Sequence, residues 1–101
     1  NGQNDHNIYQ CPDPSTATKL LYQKDVKENG KFLAVLTETI DFPESGVNPN
    51  KITCIIVTNK LGENGGYANI VSGGLNDYKT EIVLKSQTGK GLDYHIEIYS
   101  A

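Results

Sequence analysis

The chain has 101 residues, enough for one domain with a modest core, because a domain of this size buries roughly two-thirds of the surface that its unfolded chain exposes. Apolar residues make up 37% of the chain and there is neither Trp nor Met, so the core must consist of Ile, Leu, Val, Tyr and Phe, which mostly prefer strands. The formal net charge is −3 and all nine cationic residues are lysines. We therefore expect no nucleic-acid partner, since phosphate and base recognition depend on a basic surface rich in arginine.

The first 18 residues are polar, with many Asn, Asp, Gln, Pro, Ser and Thr residues. So few apolar side chains cannot offset the entropy lost on ordering. We predict a polar N-terminal arm over residues 1–18 and a β domain over residues 19–101. A cleaved signal peptide upstream of Asn1 is the simplest explanation of a chain without Met.

Two cysteines occur, Cys11 in the arm and Cys54 in the β domain. An even count in a small chain suits one disulfide formed in an oxidising compartment. The alternative is two buried free thiols. A bridge would tie the arm to a core strand and contribute roughly 4 kcal/mol. This interpretation predicts a secreted, extracellular protein.

Alternating apolar and polar residues begin at Leu20, and this period of two is typical of half-buried strands. It predicts a strand over Leu20–Lys24 and a long strand over Lys31–Phe42. The dipeptide Asn29-Gly30 between them favours a type I′ turn. We therefore predict that these two strands form a hairpin.

The rest of the chain predicts four more strands between Gly-rich or Pro-rich turns. A central strand covers Ile52–Thr58, with Cys54 on the same face as Ile52 and Ile56. Shorter strands follow over 67–71 and 78–85. The last strand alternates, and its inward residues are predicted to be Leu92, Tyr94, Ile96 and Ile98, its outward residues Asp93, His95, Glu97 and Tyr99. The expected fold is all-β, a small antiparallel sandwich or barrel of about six to eight strands.

The C-terminal half resembles the insect family named after multiprotein bridging factor two. The resemblance lies in four motifs, which keep the family's order and spacing: Lys51-Ile-Thr-Cys-Ile-Ile-Val-Thr58, Asn64-Gly-Gly-Tyr-Ala-Asn-Ile-Val-Ser-Gly-Gly74, Leu84-Lys-Ser-Gln-Thr-Gly-Lys-Gly91 and Tyr94-His-Ile-Glu-Ile-Tyr99. The stretch from Leu20 to Gly46 matches only in general pattern.

This resemblance implies two different functions. The family is named after a transcriptional co-activator, whereas most members look like secreted proteins of gut, saliva, venom or haemolymph, some of them induced by infection. The pair of cysteines favours the extracellular group. The resemblance supplies no catalytic residues.

The six tyrosines are the best candidates for contact residues, because Tyr combines a large apolar ring with a polar tip and favours interfaces. We single out Tyr67, Tyr78 and Tyr99. The alternative is that these rings cover the edges of a small sandwich.

The spacing of Asp93, His95 and Glu97 puts three potential ligands on one face of a strand. A solvent-facing polar ladder is the simpler interpretation, and we predict no metal site and no cofactor. The Gly73–Thr80 stretch lacks the second glycine and the helix of a phosphate-binding loop. Since no serine nucleophile motif occurs either, we expect no enzyme.

These patterns together predict a secreted insect effector of the venom, salivary or immune-response type, which acts by binding or self-assembly. The alternatives are an intracellular co-activator that bridges transcription proteins, and a carrier of small apolar ligands. The protein partner is unknown, and edge strands allow a homodimer. A membrane partner is disfavoured, because the chain is acidic and has no basic amphipathic helix.

Overall fold

A computed structural model describes residues 5–101, which form two antiparallel sheets. Seven strands make up these sheets, and they are β1 (Ile8–Gln10), β2 (Lys19–Glu28), β3 (Thr37–Phe42), β4 (Ile52–Asn59), β5 (Tyr67–Gly73), β6 (Thr80–Lys85) and β7 (Leu92–Ser100). Single turns of 3-10 helix occur at Pro14–Thr16 and Gly62–Asn64. In this part of the chain no helix has the length and apolar character to cross a membrane.

The first sheet has four strands in the order β1-β4-β7-β2, and the second has three in the order β3-β6-β5. All neighbouring strands run antiparallel. Over residues 5–101 the sheets stay open rather than closing into a barrel. The predicted fold class, an antiparallel sandwich with an arm tied by a disulfide, is confirmed.

The core lies between the two sheets and is built by strict alternation along β7. Leu92, Tyr94, Ile96 and Ile98 are each at most 1% exposed, so the predicted inward face of this strand is confirmed. Across the interior they meet buried side chains of the second sheet, which include Ile40, Phe42, Ala68, Ile82 and Leu84. The apolar residues of two faces therefore form one core cluster.

The predicted face of Cys54 is wrong in part, because β4 contains a bulge. The pairing of β4 with β7 shifts register between Ile52 and Cys54. A bulge inserts an extra residue and so reverses which side chains face inward. Ile52 and Ile55 point into the core, with 0% exposure each. Cys54 and Ile56 instead lie opposite Tyr99 and Glu97, on the outer side of the sheet.

The predicted hairpin between β2 and β3 is wrong. β2 pairs with β7 in the first sheet, whereas β3 pairs with β6 in the second. The two strands meet across the layers instead, where the rings of Tyr22 and Phe42 lie 5.3 Å apart. Residues 31–36 are also not strand, because Lys31 and Ala34 close a turn through a hydrogen bond of 3.0 Å.

The N-terminal arm contributes to the sandwich through β1, which pairs with the edge of β4. Ile8 packs against the core. Before it, the hydroxyl of Tyr94 donates a hydrogen bond of 2.5 Å to the carbonyl of His6, and the backbone N–H of Asn59 donates to Asn7 Oδ1 at 2.6 Å. Polar contacts with β4 and β7 of the first sheet therefore hold a segment that is poor in apolar side chains.

Candidate functional site

The outer face of the four-stranded sheet carries the features with chemical interest. It consists of the side chains that point away from the core, and two bulges decide which they are: one in β4 after Ile52, the other in β2 after Leu20. The register then places both Leu20 of β2 and Cys54 of β4 opposite Tyr99, one on each side of β7. One cross-strand row of this face is therefore apolar.

The disulfide joins Cys11 to Cys54 at the end of this row, with their Cα atoms 4.3 Å apart. Its formation confirms the predicted pairing. Residues 12–17 then cross the sheet, and Thr53 Oγ1 donates a hydrogen bond of 2.8 Å to the carbonyl of Thr16. Asp13 caps the short 3-10 turn in this segment, since its Oδ1 accepts from Ser15 N at 3.1 Å. The bridge is consequently buried under its own connecting segment.

Beside the disulfide lies a group of four apolar side chains that we name the outer apolar patch: Tyr9, Leu20, Ile56 and Tyr99. Tyr9 is 65% exposed and Leu20 is 45% exposed, while Ile56 and Tyr99 are half-buried. Tyr9 is the register partner of Ile56. Apolar side chains gathered on a wet sheet face are typical of interaction surfaces.

Next to the patch, His95 forms a polar cluster with two carboxylates. Its Nδ1 lies 2.7 Å from Asp25 Oδ1, and its Nε2 lies 3.1 Å from Glu97 Oε2. The other oxygen of Glu97 accepts a hydrogen bond of 3.1 Å from the hydroxyl of Tyr99. The cluster and the outer apolar patch are therefore one continuous surface.

The two carboxylates shift the titration of His95. The hydrogen bond with Asp25 is the largest effect and raises the pKa of His95, desolvation opposes it, and the hydrogen bond with Glu97 adds to the rise. In turn, the hydrogen bond to His95 lowers the pKa of Asp25. Each partner thus favours the charged form of the other, as expected for an imidazolium between carboxylates.

This arrangement differs from the ladder of Asp93, His95 and Glu97 that the sequence predicts. Asp25 of β2 takes the place of Asp93, whose backbone carbonyl accepts from Lys60 N at 2.8 Å. Both imidazole nitrogens face carboxylates. The cluster is therefore suited to holding a positive charge on His95.

The three predicted contact tyrosines are not brought together. Tyr67 begins β5 in the other sheet and stacks on His6, with ring centroids 5.2 Å apart. Tyr78 lies in the β5–β6 loop and is 46% exposed. Tyr99 alone belongs to the outer apolar patch. Their role in contacts stays a prediction.

Sequence reasoning missed Tyr9, Leu20 and Asp25 as members of this surface. Tyr9 belongs to the arm, which offered no apolar period, and Leu20 precedes a bulge that turns it outward. Asp25 meets His95 only through the pairing of β2 with β7. The lone apolar pair Ile8-Tyr9 in a polar arm is the signal that could have indicated a short strand.

A cleft separates the open edges of the two sheets, where β1 faces β5. Its volume is about 280 Å³, and its lining includes Asn7, Gln10, Asn69 and Ile70. At one end of the cleft, the N–H of Ala68 donates a hydrogen bond of 3.1 Å to the carbonyl of Asp5. The lining also includes Ala68 of the core and Ile8, which packs against it, so the cleft borders the apolar core.

The fold and this surface define a small disulfide-linked β-sandwich with a mixed apolar and charged outer face. The family model described as transcription activator MBF2 matches residues 14–100, and the chain belongs to this family. A protein of the bumblebee Bombus ignitus, named probable salivary secreted peptide, is 33% identical over 104 residues, which cover 99% of this chain and 73% of that protein. No solved structure shows a significant match.

Proposed function

We propose that this protein is a secreted insect effector, of the salivary, venom or immune-response type, that acts by binding or self-assembly and not by catalysis. The observation that carries the proposal is the similarity to a salivary secreted peptide along 99% of the chain. The disulfide between Cys11 and Cys54 supports it independently, because such bonds persist in oxidising compartments outside the cytosol.

The outer apolar patch is the surface that we assign to binding. Tyr9 and Leu20 expose apolar area beside the charged cluster of His95, and this mixture of aromatic, aliphatic and hydrogen-bonding groups suits a protein interface. A second copy of the chain is the first partner to test, because a two-fold axis can place one patch on another.

Light scattering over a series of protein concentrations tests this assignment. We expect the native protein to exceed the monomer mass of 11.1 kDa as the concentration rises, and the double variant Tyr9→Ser/Leu20→Ser to remain monomeric. The matched control is Phe32→Ser, which removes an aromatic ring of 90% exposure outside the patch, in the loop between β2 and β3. A native protein that stays monomeric throughout would reject self-assembly through this face.

The family description itself, transcription activator, favours a second candidate function, an intracellular co-activator. The two candidates differ in compartment and therefore in thiol state. Fractionation of the producing tissue separates them: the effector is expected in the cell-free fluid, the co-activator in the nucleus. Recovery of the protein chiefly from nuclei would reject the secreted effector.

A further inference from the structure

The loop between β2 and β3 presents two large apolar side chains to solvent. Phe32 is 90% exposed and Leu33 is 74% exposed, at the two central positions of the Lys31–Ala34 turn. We name this turn the Phe32–Leu33 tip. Burying a side chain of either type lowers the free energy in proportion to its apolar area. The fold leaves this free energy unused.

The backbone of the tip is also unfavourable for the residue that it carries. Leu33 has φ of 57°, in the left-handed region that is unfavourable for an ordinary residue and that glycine adopts freely. An exposed leucine here gains no packing in return. A strained and exposed apolar residue indicates a role outside the fold.

The tip is held in place by the neighbouring β6–β7 loop. The N–H of Gly89 donates a hydrogen bond of 2.8 Å to the carbonyl of Ala34. The N–H of Ser86 donates one of 2.8 Å to the carbonyl of Leu36, and the N–H of Leu36 donates one of 2.7 Å to Ser86 Oγ. A Cβ atom on Gly30 would lie only 2.5 Å from the carbonyl oxygen of Gly89. The two loops therefore pack backbone to backbone and present the apolar pair on a fixed support.

The charge of these two loops is opposite to that of the whole chain. Residues 29–36 and 86–91 contain Lys31, Lys90 and no acidic residue. They carry a charge of +2, and since the chain has a net charge of −3, the remainder carries −5. Along the chain the nearest carboxylates to the tip are Glu28 and Glu38, and a hydrogen bond between them raises the pKa of Glu28.

We propose that the Phe32–Leu33 tip binds an anionic lipid surface. Phe32 and Leu33 enter the boundary between headgroups and acyl chains, while Lys31 and Lys90 contact the phosphate or carboxylate groups of the lipids. Lysine suits this position because its stem lies along apolar surface while its ammonium stays in water. The acidic remainder of the chain is repelled by the same surface, which orients the molecule with its tip toward the lipid.

The strength of this contact follows from its two contributions. Each lysine near an anionic surface strengthens binding by about fivefold, and two apolar side chains give less than a lipid anchor does, so binding is weak and reversible. The expectation that the chain has no membrane partner rests on its acidic net charge and on its lack of a basic amphipathic helix. The tip is a loop with a positive local charge, so neither reason applies to it. The tip lies beside the start of β7, whereas the outer apolar patch lies near the end of that strand. Because the two surfaces are separate, the inference does not rest on the proposed function.

Vesicle sedimentation tests the apolar contribution. We expect the native protein to sediment at low salt with vesicles of phosphatidylcholine and phosphatidylserine, and not with phosphatidylcholine alone. The double variant Phe32→Ser/Leu33→Gly should bind these vesicles at least about tenfold more weakly than the native protein. The matched control is Val47→Ser, which removes an apolar side chain of 92% exposure at the opposite end of the sandwich and should bind as the native protein does.

Charge-reversed variants test the lysines. Lys31→Glu/Lys90→Glu should abolish binding, while Lys51→Glu/Lys79→Glu, a change of equal charge at the other end, should retain most of it. Melting curves verify that each variant is folded. Tyr9→Ser/Leu20→Ser should bind vesicles like the native protein, which separates this inference from the patch.

Several outcomes would overturn the inference. They are the absence of native binding to the anionic vesicles, equal binding to phosphatidylcholine alone, and full binding by the tip variant. Light scattering gives one more such outcome. If the tip variant has a lower mass than the native protein, the tip contacts a second copy and the inference is overturned.

Discussion

His95 lies between two carboxylates that shift its titration. Its pKa is raised from the ordinary 6.5 by Asp25 and Glu97, and the pKa of Asp25 is lowered from 3.8. The stabilisation from His95 is complete below pH 6.5 and is lost as the pH rises through the raised pKa. That from Asp25 is present above pH 3.8 and is lost as the pH falls through the lowered pKa.

We therefore predict that the cluster stabilises the protein most between pH 3.8 and 6.5. Urea unfolding at about pH 5.5 and at about pH 8.5 measures this. His95→Gln should reduce the loss of stability between these two conditions, since Gln does not titrate. Asp93→Asn, on the same strand outside the cluster, is the control and should leave it unchanged. An equal loss in the His95→Gln variant would show that the cluster does not contribute.

Leu33 gives a prediction of opposite direction, a substitution that stabilises. Because its φ is 57° and its side chain is exposed, Leu33→Gly should relieve strain without loss of packing. We expect the free energy of unfolding to rise by about 1 kcal/mol. Phe32→Gly, next to it and without a positive φ, is the control and should give no gain. A lower melting temperature for Leu33→Gly would contradict the assigned backbone conformation.

Among the elements, β4 combines a buried face with an exposed one, and the bulge after Ile52 decides which is which. We predict that Ile55→Ala costs about 2–5 kcal/mol, because Ile55 has 0% exposure and its loss leaves a cavity. Ile56→Ala should cost only about 1 kcal/mol, because this side chain lies on the outer face. Chemical denaturation compares the two. Equal costs, or the reverse order, would reject the bulge.

The strands themselves could be predicted from the sequence where alternation is strict. Inward and outward residues alternate along the whole of β7, so its faces follow from the two-residue period alone. The faces of β4 did not follow, because a bulge shifts the period by one residue and leaves no residue type that marks it. β1 was missed because three residues are too short to show a period.

Strand pairing was less predictable than strand position. Asn29-Gly30 favours a local hairpin, yet Gly30 is used for close packing against the β6–β7 loop. The partners of β2 and β3 are instead set by non-local contacts, which local propensity does not encode. The cluster of Asp25 with His95 was hidden for the same reason, whereas Tyr99 could be proposed from its outward position alone.

At the scale of the whole molecule, the disulfide decides how firmly the arm belongs to the sandwich. Cys11 and Cys54 are separated by 43 positions, and closing such a loop stabilises by roughly 4 kcal/mol in the chain-entropy model. We predict that Cys11→Ala/Cys54→Ala loses up to this amount. Hydrogen exchange should quicken first in β1, which only three register pairs hold to β4.

The control for this prediction is the native protein treated with reductant, which should fall to the stability of the double variant. Unchanged melting after complete reduction would contradict a stabilising bridge. The Tyr94 hydroxyl, whose pKa burial raises to about 12, keeps its bond to the His6 carbonyl at ordinary pH. Part of the arm should therefore remain attached without the bridge.

The two ends of the sandwich carry different chemistry. One end has the disulfide and the outer apolar patch, and the other has the Phe32–Leu33 tip with its two lysines. A molecule with this polarity can contact a protein at one end and a lipid surface at the other, so variants of each end should leave the other function intact.

The intact mass of the native protein after thiol alkylation without reduction tests whether this is a secreted protein closed by a disulfide. The protein should be taken from the tissue or fluid that produces it. We predict no alkyl adduct on Cys11 or Cys54, and two adducts once the protein has been reduced. Two adducts before reduction would contradict the claim and favour the intracellular co-activator.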